Sequence, residues 1–120
     1  MIRDKYETLI RKLIEATEKG TVDWEKTSSN NEFLTRLGRN AVSISFYDPE
    51  DFVGFLTINN GSDKKKYYCL SLINSEGKTI DCEIKYQSES GYERLKDLYS
   101  EARRKFFKVD EALDDILKNL

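Results

Sequence analysis

With 120 residues the chain has room for one domain (1–120) around one core, which excludes two ordinary domains. Hydrophobic residues at 38% and charged residues at 35% describe a folded chain with a densely charged surface. Twenty basic residues against 22 acidic ones leave a net charge of -2, which argues against a general polyanion binder, and the absence of histidine removes the commonest proton shuttle and metal ligand.

No apolar run approaches the roughly 18 to 20 residues that a membrane span needs. The opening "MIRDKYETLIRKLIEA" threads charges through its apolar residues, unlike a signal peptide, so cytoplasmic residence is expected. In the same stretch Ile2, Tyr6, Leu9, Ile10, Leu13 and Ile14 recur three and four apart and predict a helix. Gly20 is expected to close it, with Lys19 in the last turn.

From Thr21 to Tyr86 the period changes to two: Val22 and Trp24; Val42, Ile44 and Phe46; Tyr68, Leu70 and Leu72; Ile80, Cys82 and Ile84. Turn signals at "SSNNE", "GRN", "DPED", "NNGSD" and "NSEG" punctuate five or six strands, and connections this short predict an antiparallel meander. In the hairpin around "NSEG", a three-residue loop with Gly77 left-handed places Tyr68 opposite Ile84, Leu70 opposite Cys82 and Leu72 opposite Ile80. Cys82 is then expected in the core and Cys69 on the other face, as two free thiols rather than a disulfide. A reactive Cys69 would need a nearby cation, and Lys66 is the local candidate.

After "QSESG" the helical period returns in Tyr92, Leu95, Leu98, Tyr99, Ala102 and Phe106, and Ser90 with Glu93 reads as a capping box. A last stripe, Val109, Leu113, Ile116, Leu117 and Leu120, predicts a third helix, with Phe107 at the corner before it. The expected fold is α+β: an N-terminal helix, an antiparallel meander of five or six strands, and two C-terminal helices packed on one sheet face.

These elements are compatible with three functional classes. "FVGFLTIN" at 52–59 sends Val53 and Phe55 one way and Leu56 and Ile58 the other, so both faces of that strand are apolar. A sheet covered on one side only would leave Leu56, Ile58, Tyr67 and Ile73 as a surface for a protein partner or a second copy, with Trp24 and Tyr47 as further interface candidates. This predicts a non-catalytic protein-binding or self-associating module. Nucleic-acid binding is the alternative, through Arg103, Arg104 and Lys105 with Lys64, Lys65 and Lys66 beside Tyr67 and Tyr68, although acidic residues interleave the first cluster. An enzyme would depend on Cys69 or on paired carboxylates such as Asp48, Glu50 and Asp51 or Asp110, Glu111, Asp114 and Asp115. These read better as a turn and a solvated helix start, and no phosphate loop, metal site or cofactor is expected.

The closing "LKDLYSEARRKFFKVDEALDDILKNL", with "GTVDWEKT" and "YYCLSLINSEGKTID", resembles a group of small uncharacterised bacterial and prophage proteins that end in similar Ala-Arg-Arg helices. The resemblance implies a small bacterial or mobile-element protein, such as a regulator or inhibitor, and transfers no functional residue.

Overall fold

Tyr6, Ile10, Leu13 and Thr17 lie four, three and four residues apart, a spacing that turns all of them to the buried side of the first helix, α1 (Ile2–Lys19). The computed structural model describes residues 2–49 and 66–120, with side chains from Lys5 onward. Gly20 ends α1 as expected. At φ 76° it is left-handed, its N–H bonds the Thr17 carbonyl at 3.1 Å, and the Thr21 N–H reaches back to Ala16 at 2.9 Å. Two otherwise orphaned helix carbonyls are satisfied by this pair of bonds.

Five strands follow in the described residues: β1 (Glu25–Lys26), β2 (Glu32–Leu37), β3 (Asn40–Tyr47), β4 (Tyr67–Ile73) and β5 (Thr79–Tyr86). They pair antiparallel in chain order, which is the expected meander. Two helices close the chain, α2 (Tyr92–Phe106) and α3 (Val109–Lys118), giving the α+β class. The stretch "FVGFLTIN", with Leu56 and Ile58, lies outside the described residues, as do Lys64 and Lys65.

Alternation decides which strand residues meet the helices. Phe33, Ile44 and Leu70 stand opposite one another across β2, β3 and β4, and each is at most 1% exposed. Tyr6, Ile10 and Leu13 of α1 and Tyr92, Leu95, Leu98 and Ala102 of α2 complete the core over that face. Phe33 anchors an aromatic cluster, with ring centroids 5.6 Å from Tyr99, 5.6 Å from Phe106 and 6.0 Å from Phe107. Phe107 caps α2 at the corner into α3, as its place off the stripe predicts.

Three expectations are corrected here. Val22 and Trp24 do not form a strand; β1 covers only Glu25–Lys26. Trp24 is buried, and its indole N–H donates to Thr17 Oγ1 at 3.0 Å while the Thr17 hydroxyl donates to the Leu13 carbonyl at 2.6 Å. It is therefore a core residue with its donor satisfied, removed from any interface. The Ser90–Glu93 capping box does not form either. Gly91 holds the N-cap position at φ 95° with no side-chain cap, so Ser90 stands one residue too early.

The third correction concerns the last hairpin. Its loop is as expected, with Gly77 at φ 81° and Ile73 opposite Thr79. A bulge then intervenes: Leu72 pairs with Asp81, Leu70 with Glu83 and Tyr68 with Lys85, so Ile80 is an extra residue and every later β5 side chain changes face. Asp81, Glu83 and Lys85 point to the helix side, where Asp81 accepts the Tyr6 hydroxyl at 2.6 Å and Glu83 and Lys85 pair at 3.8 Å. Cys82 and Ile84 point away from the helices, and Ile80, unpaired in the bulge, is 60% exposed. Cys82 is thus on the outer face together with Cys69, which sits diagonally across the strand pair, and both thiols are free.

Ser43, on the outer face of the central strand β3, is 1% exposed and its hydroxyl has no hydrogen-bond partner. An unsatisfied buried hydroxyl costs about 1–3 kcal/mol. Ser43→Ala is expected to raise the unfolding free energy by about 1 kcal/mol in urea titrations; a loss of stability would mean that the hydroxyl is satisfied.

Candidate protein-binding surface

The core lies between α1, α2 and one sheet face, so the binding candidates belong to the other face, the free edge and α3. The register assembles the outer face in rows. Tyr47, Tyr67 and Tyr86 line up at one end, Tyr47 stacked on Tyr67 at 5.0 Å and Tyr67 edge-on to Tyr86 at 5.2 Å. Next come Glu32, Ser45, Cys69 and Ile84, then Leu34, Ser43, Ser71 and Cys82. Serines hold the middle of this face, Ser43 and Ser45 on β3 and Ser71 on β4, with Ile84 on β5 and the tyrosine row beside them.

A groove of about 890 Å³ opens beside the tyrosines, lined by Glu32, Ser45, Tyr47, Tyr67, Cys69 and Ile84 among others. It unites two of the predicted interface residues, Tyr47 and Tyr67, whereas Ile73 lies half-buried at the opposite end of β4. Burial pushes the Tyr67 phenol up from its ordinary value, with Cys69 adding to the shift. Burial likewise pushes the Cys69 thiol up, although a contact with Ser71 at 3.5 Å opposes it. That direction is opposite to the one an activated nucleophile needs. Lys66, the expected activating cation, pairs with Asp48 at 3.8 Å instead.

A second cleft, of about 570 Å³, separates α1 from β5 and the start of α2. Glu7, Arg11, Glu83, Lys85 and Arg94 line it with both signs of charge, so it offers no net field to a charged ligand. Among the described residues no group of three or more Cys, Asp or Glu side chains is placed to hold a metal ion.

Among the described residues the largest apolar exposure is on α3 and just past its end. Its acidic residues Asp110, Glu111, Asp114 and Asp115 occupy one side and its apolar stripe the other, yet none of its residues is buried. Leu113, Ile116, Leu117 and Leu120 are all exposed, Leu117 at 66% and Leu120 at 96%. Sequence periodicity located this stripe, but only the structure shows that no part of the described fold covers it.

The basic cluster is partly occupied within the molecule. The Arg104 guanidinium pairs with Asp110 at 2.5 Å, and Arg103 lies over the Phe107 ring at 5.2 Å. Lys105 is exposed on the same helix end. Lys66, the one described lysine of the other basic stretch, pairs with Asp48. Among the described residues no helix is long and apolar enough to cross a membrane. Comparison with family models, with curated proteins and with solved structures returns no match.

Proposed function

We propose that the protein is a non-catalytic protein-binding module that acts through the apolar stripe of α3, with Tyr47, Tyr67 and Ile73 of the outer sheet face as a second contact area. One observation carries the reading: α3 is amphipathic, yet its three large apolar residues Leu113, Ile116 and Leu117 remain exposed, as does Leu120 just past its end. A helix with this pattern ordinarily buries its stripe against something, and apolar anchors at three- and four-residue spacing are the means by which a helix docks into a partner's groove. The acidic opposite side of α3 favours a partner whose groove has a basic rim. In the setting implied by the bacterial and prophage resemblance, the module is a cytoplasmic regulator or inhibitor from a mobile element.

The test compares capture from the native host by the unaltered chain and by a Leu113→Ser/Ile116→Ser/Leu117→Ser variant. Because these side chains are exposed, thermal unfolding should shift by no more than the equivalent of about 0.5 kcal/mol per site. Affinity for the captured partner should fall about 100-fold, as loss of apolar anchors implies. Equal capture by both chains would remove α3 from the reading. Salt-sensitive retention on DNA that weakens with Arg104→Glu/Lys105→Glu would replace it with nucleic-acid binding.

A further inference from the structure

The two margins of the described sheet differ. β1 has two residues, too few to template another strand, whereas β5 has eight, contains no proline and stands last in the sheet order. The backbone direction along β5 follows from two bonds. The Gln87 N–H bonds the Lys66 carbonyl, toward β4, and the Tyr86 N–H turns instead to Glu89 Oε1 at 2.8 Å. Successive residues alternate, so after the bulge at Ile80 the groups facing the free edge are those of Cys82, Ile84 and Tyr86. The bulge closes this window at one end and the Glu89 cap closes it at the other. Ile84 is its midpoint.

Side chains choose the same midpoint. On the helix side of the strand, Glu83 and Lys85 flank Ile84 with opposite charges. An antiparallel copy of β5 related by a two-fold axis through Ile84 places Glu83 opposite Lys85 of the second copy, and Lys85 opposite its Glu83. On the outer side Ile84 meets Ile84 of the second copy and Cys82 meets its Tyr86, all of them exposed apolar or aromatic residues. Shifting the axis to Cys82 sets Asp81 against Glu83, and shifting it to Glu83 sets that carboxylate against itself. Centring on Lys85 likewise sets that ammonium against itself, so among the registers centred on residues 82 to 85 the one at Ile84 avoids every like-charge pair.

We infer that the edge of β5 left open among the described residues is a self-association site, at which a second copy of this chain adds antiparallel about Ile84 and joins the two described sheets into one. The site is distinct from α3 and does not depend on the binding reading given to that helix. Ile84 exchanges both backbone hydrogen bonds with its own counterpart, and these two bonds are the centre of the ladder, because Glu89 already engages the Tyr86 N–H through its Oε1 and the Tyr86 carbonyl through its own N–H. The window is short, so the dimer is weak and forms only at high chain concentration.

Sedimentation of the whole chain from about 1 μM to 0.5 mM, with amide exchange followed by NMR, tests this. The expected result is a monomer–dimer equilibrium in which the Ile84 amide gains protection as concentration rises. Glu83→Lys and Lys85→Glu each set like charges together twice and should weaken the dimer about tenfold or more, while the double swap Glu83→Lys/Lys85→Glu restores it. Circular dichroism and thermal unfolding establish that each variant is folded. A chain monomeric at 0.5 mM overturns the inference. So does a dimer that ignores the charge reversals, leaves the Ile84 amide unprotected, or is not restored by the double swap. A dimer lost in the α3 serine variant but not in the β5 variants assigns association to α3, overturning this inference while leaving the α3 reading intact.

Discussion

Replacing Phe33 by alanine should lower the unfolding free energy by about 3–5 kcal/mol, a large part of the 5–15 kcal/mol typical of small domains. Phe33 is 1% exposed and touches the rings of Tyr99, Phe106 and Phe107, so truncation removes a buried ring and strands three aromatic neighbours around the void. The site draws on β2 and α2 together, and α2 cannot collapse into the space without pulling its own Leu95 and Leu98 out of the core. Urea titration should show a much lower midpoint at an unchanged slope. Leu117→Ala, a truncation of another large apolar residue, should cost less than about 1 kcal/mol because Leu117 is already in water. Comparable losses at the two positions would mean that α3 is packed in solution and would remove the ground for assigning it a partner.

The second large effect is an alkaline loss of stability. Burial, then the charges and rings of Tyr92, Tyr99 and Glu93, push the Tyr68 phenol up to about 12. Tyr6 is raised as well, first by burial and then because its hydroxyl donates to the Asp81 carboxylate. Both folded values exceed the ordinary unfolded value near 10, so the fold favours the neutral phenols. Their contribution is complete below about pH 10 and is lost as pH rises through about 12, since the unfolded chain surrenders these protons first. For Tyr68 the loss should reach on the order of 2 kcal/mol. Urea titrations at stepped pH from about 8 to 11.5 should show the midpoint falling above pH 10, with a shallower fall in Tyr68→Phe and Tyr6→Phe. An equal fall in both variants would place the titrating groups elsewhere.

A helix is legible when its stripe and its end are both local. The four-three-four spacing in α1 and the left-handed Gly20 need nothing beyond neighbouring residues, which is why the helix and its termination follow from sequence alone. The same holds for the Ser75-Glu76-Gly77 loop and for the short connections that force strands to pair in order. Fold class, element order and the corner at Phe107 were accordingly all present in the chain.

The facing of β5 was not. Read locally, Ile80, Cys82 and Ile84 belong in a core and Asp81, Glu83 and Lys85 belong in water. At a sheet margin this preference weakens, because the helix side of an edge strand is only partly covered, and here Asp81 also gains a hydrogen bond from Tyr6, 75 residues earlier in the chain. One bulged residue then reverses the strand. Trp24 was misplaced for a related reason: its amphipathic ring suits an interface until Thr17 supplies a buried acceptor for the indole N–H. The stripe on α3 could likewise be read from spacing, but whether it is covered depends on what lies beside it in space. Local periodicity determined what each segment is; side and exposure were decided by contacts between segments far apart in the chain, because only those contacts make it favourable to bury a charge or leave an isoleucine in water.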